Sequence, residues 1–146
     1  MNAEYYQEKL GLVEHPEGGY YREVYRNPRT SEFEGFQGPR HWATSIYFLL
    51  THEKSSAMHR IKSDEIWYYQ DGDPLEIILV DEQGTERIVL LGKDIDRGCV
   101  LQFVVPAGIW FGARVAEGGT YTLVGCQVTP GFDCIDFELM HPLSDG

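Results

Sequence analysis

Side chains that can transfer protons stand close together between residues 59 and 69 of the sequence. His59 and Glu65 are followed by Trp67 and Tyr69 at alternating positions. Alternate residues of an extended strand point to the same face, so we expect these four side chains to line one cavity. An imidazole titrates near neutral pH and is therefore suited to act as a general base.

A base of this kind needs a partner that returns the proton. A phenol can do so, and the sequence leaves Tyr47, Tyr69 and Tyr21 open as the donor. Glu65, on the same predicted face as His59, is expected to orient the imidazole and raise its basicity. A buried His and Glu can also satisfy each other, or hold a ligand without turnover, so a binding protein is an alternative to an enzyme.

Basic and aromatic residues outside this group suggest a ligand. Guanidinium and ammonium groups bind phosphate oxygens, and flat aromatic rings support a base or a sugar. The predicted ligand-binding residues are Arg22, Arg40, Lys62, Trp67, Trp110 and Phe111. Together they indicate a phosphate-bearing small molecule, such as a nucleoside diphosphate or a nucleotide sugar. The alternative is that the rings pack in the core or a dimer interface and that the charges are solvated on outer strand faces.

The elements that must position these residues are mostly strands. Residues 3–12 have a helical pattern that ends at Gly11, and residues 27–41 are predicted to be a long irregular loop. Turn residues separate about ten short apolar segments, which is typical of a sandwich or barrel. The predicted strands are Tyr20–Arg26, Ala43–Leu50, Ala57–Arg60, Glu65–Gln70, Leu75–Val80, Arg87–Leu91, Leu101–Val105, Trp110–Val115, Thr120–Thr129 and Asp136–Leu139.

Composition narrows the class of protein. The 146 residues suit one domain, predicted over 1–146, and the net charge of −11 disfavours nucleic acid as a partner. The three cysteines form no CxxC pair, which favours a reducing compartment. No stretch is apolar for long enough to predict a membrane helix or a signal peptide. We therefore expect a cytoplasmic protein that binds neither nucleic acid nor membrane.

The spacing of His59, Glu65 and Gly72 resembles the first motif of the cupin superfamily, and Gly98, Pro106 and Gly108 resemble the second. The segments HPEGGYYRE, HRIKSDEIW, VPAGIWFGAR and LVGCQVTPGFDCIDFEL are similar to the fifth cupin subfamily, long described as a domain of unknown function. The resemblance implies an all-β double-stranded β-helix, or jelly-roll barrel, with one short N-terminal helix and a pocket at one end. It also implies a homodimer.

Two departures from the cupin motifs concern the metal. Cupins ordinarily hold a divalent metal through three His and one carboxylate, but Ile61 and Phe111 stand where two of those His would be. Hydrocarbon side chains cannot coordinate, so we predict no metal and no other cofactor.

Three hypotheses for the function remain. The first is a protein that binds a small anionic ligand in the barrel pocket. The second is a metal-independent epimerase or isomerase acting on a sugar nucleotide, similar to the dTDP-sugar epimerases, with His59 as the base. The third is a metal-dependent cupin enzyme.

Overall fold

The computed structural model describes residues 1–140. One helix, α1, spans Ala3–Lys9, and its N-cap Asn2 accepts a hydrogen bond from the backbone N–H of Tyr5. The strands are β1 Val13–Glu14, β2 Tyr20–Arg26, β3 Thr30–Glu32, β4 Pro39–His41, β5 Thr44–Thr51, β6 Ser56–Arg60, β7 Asp64–Gly72, β8 Leu75–Val80, β9 Glu86–Leu91, β10 Gln102–Val105, β11 Trp110–Val115, β12 Tyr121–Thr129 and β13 Glu138–Leu139. Short 3-10 helices span Ile95–Arg97 and Cys134–Asp136.

Two antiparallel sheets form the barrel. The larger has the order β1-β2-β5-β12-β7-β10, and the smaller has the order β13-β6-β11-β8-β9. Neighbours in each sheet are often far apart in sequence, as expected for a jelly roll and not for a simple meander. The architecture confirms the predicted all-β jelly-roll barrel with one short N-terminal helix.

The core lies between the two sheets and follows from strand alternation. Leu75, Ile77 and Leu79 of β8 are buried while the residues between them are half-buried. These residues belong to a cluster that includes Phe48 and Trp67, both 1% exposed. Burying such large side chains is the main force that holds the sheets together.

A second apolar cluster covers the outer face of the larger sheet. Leu49, Tyr121 and Leu123 point away from the barrel, and the α1 residue Tyr6 and the nearby Leu10 pack against them. Helix α1 therefore shields one outer face of the barrel.

The structure corrects two local predictions. The segment 27–41 is not an irregular loop, because β3 and β4 pair as a hairpin in which Ser31 lies opposite Arg40. Asp136 lies in the second 3-10 helix and not in the final strand. The last residues of the predicted domain, 141–146, lie outside the described part of the chain. Within residues 1–140, no helix is both long and apolar enough to cross a membrane.

Candidate functional site

A cavity of about 380 Å³ opens inside one end of the barrel. This volume lies within the range of about 300–1000 Å³ that is usual for small-molecule sites. Its walls are mostly apolar and consist of Ile46, Ile61, Val128, Phe132 and Phe137. The polar lining residues His59 and Glu65 are buried, whereas Pro16, Glu23 and Cys134 are exposed. The cavity therefore leads from an exposed mouth to a buried polar end.

The loop between β1 and β2 carries one of the residues at the buried end, Glu17. The backbone of the loop is tied to β6, since the Ala57 N–H donates to the Glu17 carbonyl oxygen at 2.8 Å. Gly18 has φ +110°, and a Cβ there would collide with the carbonyl oxygen of Ser55. Only glycine allows so close an approach with this backbone conformation. The loop closes the end of the barrel and directs Glu17 into the cavity.

His59 is held by contacts at both ring nitrogens. Its Nδ1 lies 2.7 Å from the carbonyl oxygen of Ala57, and its Nε2 lies 2.9 Å from Oε2 of Glu17. The ring also lies against Phe111, with 4.3 Å between centroids. Burial by itself lowers the pKa of His59, but the contact with the Glu17 carboxylate outweighs it, and the pKa is raised. The raised pKa favours the imidazolium form of His59 in its contact with Glu17.

Glu65 lies near this pair and carries a proton of its own. Its side chain is 8% exposed, and burial raises its pKa to about 8, assisted by the negative charge of Glu17. The positive charge of His59 and contacts with Cys126 and Trp67 oppose this shift. The indole Nε1–H of Trp67 lies close by but forms no hydrogen bond of good geometry within residues 1–140. Glu65 is therefore a neutral acid at pH 7.

His15 and Tyr21 complete the polar part of the lining. The Glu17 N–H donates to Nδ1 of His15 at 3.1 Å, which fixes the proton of the neutral imidazole on Nε2. Burial lowers the pKa of His15, so its ring is neutral at pH 7. The rings of His15 and Tyr21 meet edge to face at 4.6 Å. Tyr21 is the one candidate proton donor from the sequence that reaches the cavity.

The other two candidate donors lie elsewhere. Ile46 and Phe48 face the barrel interior, so Tyr47 between them points outward and packs against the cluster beneath α1. Tyr69 lies in the core toward the other end of β7, where its hydroxyl donates to the Gly72 carbonyl oxygen at 2.6 Å. The structure does not bring Tyr47 or Tyr69 together with His59.

The predicted aromatic ligand surface is also dispersed. Trp67 and Phe111 are each 1% exposed and belong to the core, so packing is the function of their rings. Trp110 faces the outside of the smaller sheet, where the guanidinium of Arg60 lies 4.4 Å from its ring centroid. None of the three lines the cavity. The positions of Trp67 and Phe111 in the core are those expected if their rings serve packing.

The predicted phosphate-binding residues do not converge. Arg22 donates to the Leu10 carbonyl oxygen at 3.0 Å, and exposed Lys62 donates to Gly35 at 3.2 Å. Arg40 is buried and makes two hydrogen bonds of 2.8 Å to the carboxylate of Asp136. These guanidinium and ammonium groups hold the chain together away from the cavity.

The donor set does not fit the metal that cupins ordinarily hold. Ile61 lines the cavity and Phe111 lies against His59, so hydrocarbon occupies both positions where the motif would supply imidazole. Both nitrogens of His59 already have partners. Within the described residues, no group of three or more His, Cys, Asp and Glu is arranged to hold a metal ion.

Sequence reasoning missed the importance of Glu17 and His15. Both lie in HPEGGYYRE, which marked the family resemblance and from which only Tyr21 and Arg22 were predicted as site residues. The available signal was a His and a Glu two residues apart, directly before a pair of glycines. Arg26 was also missed, and it lines the cavity while its guanidinium pairs with Glu23 at 2.7 Å.

Comparisons with known proteins agree with this architecture. A family model described as Cupin superfamily (DUF985) matches residues 4–140. The chain is 30% identical to the uncharacterized protein YML079W of Saccharomyces cerevisiae, over 88% of this chain and 70% of that protein. A hypothetical protein from Leishmania major has a similar structure, with a TM-score of 0.90 and 43% identity over 96% of this chain and 88% of that one.

Two further structures extend the comparison. Protein SO0799 from Shewanella oneidensis has a TM-score of 0.86 and 38% identity over 96% of this chain and 85% of that one. Oxalate decarboxylase from Bacillus subtilis has a TM-score of 0.60 and 18% identity, over 87% of this chain and 29% of that one. The last likeness shows the fold alone.

Proposed function

Because the chain belongs to the cupin superfamily, in the family described as DUF985, we propose that it binds a small, largely apolar molecule in the barrel cavity. One observation carries the proposal: buried Glu17, His59 and Glu65 meet at the inner end of a cavity with apolar walls. Buried polar groups around an otherwise apolar cavity are the usual means of orienting a ligand.

The geometry does not favour the phosphate-bearing ligand that the sequence suggested. Among the described residues, Arg26 is the one Arg or Lys that lines the cavity, and Glu23 already pairs with it. A phosphate at the inner end would meet the carboxyl group of Glu17. Like charges at close range oppose binding, so a nucleotide is not the ligand that we propose.

Ligand screening by thermal shift tests the proposal. A molecule that binds the native state alone raises the melting temperature, since it adds RT ln(1 + [L]/Kd) to the free energy of unfolding. The informative variant is Ile46→Phe, which places a larger ring in the cavity wall, and the matched control is Ile88→Phe on β9, where the side chain is 45% exposed. We expect ligands found with the native protein to lose their effect in Ile46→Phe and to keep it in Ile88→Phe.

The opposite result would contradict the proposal. Equal stabilisation of both variants by every such ligand means that binding occurs outside the barrel. A screen of several hundred small apolar molecules without any stabilising one argues against a binding cavity altogether.

A proton-transfer enzyme is the second candidate, because two carboxyl groups with different protonation face one cavity. Both nitrogens of His59 are engaged, so we assign the base to the Glu17 carboxylate and treat His59 as a positioning residue. Neutral Glu65 is then the acid. Carboxyl groups whose environments separate their pKa values commonly divide these two tasks.

Hydrogen exchange distinguishes the two candidates. An enzyme of this kind exchanges the C–H next to a bound carbonyl with solvent deuterium, which NMR detects, and Glu17→Gln abolishes the exchange. If cavity ligands that carry such a C–H bind but show no exchange, the enzyme hypothesis is contradicted. Only the binding function then remains.

A further inference from the structure

Glu65 differs from the other charged groups of the cavity in having no cationic partner in contact. Arg26 pairs with Glu23, and His59 pairs with Glu17. Within residues 1–140, no ion pair includes Glu65, although the residue is buried. A buried carboxyl group without a cation avoids the cost of desolvation by keeping its proton.

Among the groups that face Glu65, the Glu17 carboxyl group is engaged by His59 at 2.9 Å and acts on Glu65 through its charge and not through a hydrogen bond. The other neighbours can give hydrogen bonds to Glu65 but are poor acceptors of its own proton. The Cys126 thiol beside it is a weak donor and a weaker acceptor, and the indole N–H of Trp67 is only a donor. The cation of His59 also has no lone pair to offer. The hydroxyl of a protonated Glu65 therefore lacks a good acceptor in the protein, and Glu65 lines the cavity.

We propose that the ligand of this cavity is an uncharged molecule that presents a carbonyl oxygen, as hydrogen-bond acceptor, to the protonated carboxyl group of Glu65. The inference rests on the proposed binding function and specifies the chemical class of the ligand. The apolar walls receive the rest of the molecule, and the Glu17 carboxylate lies in the same cavity beside the carbonyl-bearing end.

Charged head groups fit less well. A carboxylate or phosphate would be repelled by Glu17. An ammonium group would require Glu65 to ionise among apolar side chains, and it would lie near the His59 imidazolium. A neutral acceptor needs no change of charge in the cavity. An unpaired buried donor costs about 1–3 kcal/mol, which corresponds to about 5–150-fold in affinity for a ligand that satisfies it.

A matched set of probes tests the inference on the native protein. Phenylalkyl and cyclohexylalkyl skeletons are each prepared as a methyl ketone, a primary amine and a carboxylate. Titration calorimetry and ligand-observed NMR at pH 6 compare their affinities. We expect each ketone to bind at least about fivefold more tightly than the amine and the carboxylate on the same skeleton.

The pH dependence of ketone binding is a second test, and it needs no variant. The groups that face Glu65 are Glu17 from the loop after β1, His59 from β6, Trp67 from β7 and Cys126 from β12. Affinity for the ketone is expected to fall about tenfold per pH unit above pH 8, because the donor is then ionised. Glu65→Gln keeps an N–H donor and has no titrating proton, so its affinity is expected to stay constant through the same pH range.

Three outcomes would overturn the inference. If the amines bind most tightly and Glu65→Gln removes their binding, Glu65 is a counter-ion and not a donor. If the carboxylates bind most tightly, the cavity is an anion site. If no probe with any of the three head groups binds, the proposed binding function fails and the inference fails with it.

Discussion

Two buried pairs of opposite charge lie in this barrel, and they are built differently. The Arg40 and Asp136 side chains are 3% and 4% exposed, and those of His59 and Glu17 are 3% and 8% exposed. Two parallel bonds of 2.8 Å join Arg40 to Asp136, and a further N–H of Arg40 donates to the Pro39 carbonyl oxygen at 2.9 Å. The His59–Glu17 pair has one close contact and borders a cavity.

The difference separates a structural pair from a candidate site. Arg40 links the β3–β4 hairpin to the chain near its C-terminal end, and its donors are directed to protein acceptors. The pair at His59 adjoins another carboxyl group, Glu65, and space for a ligand. A buried charged group whose hydrogen-bond donors all have protein acceptors indicates a structural role. A buried polar cluster with an unused donor beside a cavity indicates a binding site.

The largest expected effect is a loss of stability when the Arg40–Asp136 pair is broken. Asp136→Ala leaves the guanidinium of Arg40 buried without a counter-charge, and a guanidinium does not lose its proton in proteins. We expect the free energy of unfolding to fall by about 3–5 kcal/mol, as is common when one partner of a buried pair is removed. Denaturant titration measures this value.

The double variant Arg40→Met, Asp136→Leu is the control for this prediction. Replacing both charges with apolar side chains of similar size is expected to recover most of the lost stability. A loss below about 1 kcal/mol in Asp136→Ala would show that the pair is hydrated, and the contrast with the cavity pair would disappear.

The next effect is a fall in stability as the pH rises from 6.5 to 8. In the unfolded chain Glu65 ionises near its ordinary pKa of 4.5, but the folded protein keeps the proton up to about pH 8. The folded state binds more protons in this interval, so its stability decreases by about 1.4 kcal/mol per pH unit for this group, or about 2 kcal/mol in all. His59, whose folded pKa is raised above 6.5, contributes in the same direction.

The opposite contribution of His15 is small in this pH interval and is expected to be the same in the native protein and in Glu65→Gln. The pKa of His15 is lowered by burial, so the stability that it adds with rising pH ends about one unit above the unfolded pKa of 6.5. Unfolding of the native protein and of Glu65→Gln is compared at pH 6.5 and pH 8. The variant is expected to lose less stability than the native protein, and parallel curves would show that Glu65 is ionised in the folded state.

These residues also show how far the sequence alone could predict the site. The two-residue period of a strand placed His59 and Glu65 on the inner face of the barrel, where both line the cavity. The same period also placed Trp67 and Tyr69 on that face, but it does not show how far along the barrel the cavity extends, and these two rings lie in the core. Glu17 was missed because it lies on a loop, whose position depends on the contact between Gly18 and Ser55. Composition and local pattern give no signal for a contact of this kind.

The basic residues were misplaced for a similar reason. Arg40 suggested a phosphate site because its partner, Asp136, lies 96 residues away in the sequence and cannot be recognised from a local pattern. The fold itself was predictable, because the two-residue alternation of strands and the turn residues between them recur along the whole chain. Whether the hydrogen-bond donors of one charged side chain all have partners depends on tertiary contacts.

Glu17→Gln sharpens the comparison between the two pairs. The imidazole of His59 can lose its proton when the carboxylate is removed, unlike the guanidinium of Arg40. The expected loss of stability at pH 6 is therefore about 1–2 kcal/mol, smaller than in Asp136→Ala. The pKa of His59 is expected to change from raised to lowered, because burial then dominates. NMR titration of the imidazole carbons measures the change, and a pKa that stays raised would mean that an ionised Glu65 stabilises the imidazolium in place of Glu17.

The smallest effects are expected at the basic and aromatic positions outside the cavity. Arg22→Ala and Lys62→Ala each remove an exposed side chain, and Trp110→Ala removes a half-buried ring on the outside of the smaller sheet. The exposed contacts of Arg22 and Lys62 contribute about 0–1 kcal/mol to stability. Affinity for a cavity ligand is expected to stay within about twofold of the native value, because long-range charges are screened by salt. Calorimetry with any ligand from the thermal-shift screen measures this affinity.

A tenfold loss of affinity in Arg22→Ala or Lys62→Ala would restore the phosphate-bearing ligand as a hypothesis. It would also place the binding site of that ligand outside the barrel, away from Glu17 and Glu65.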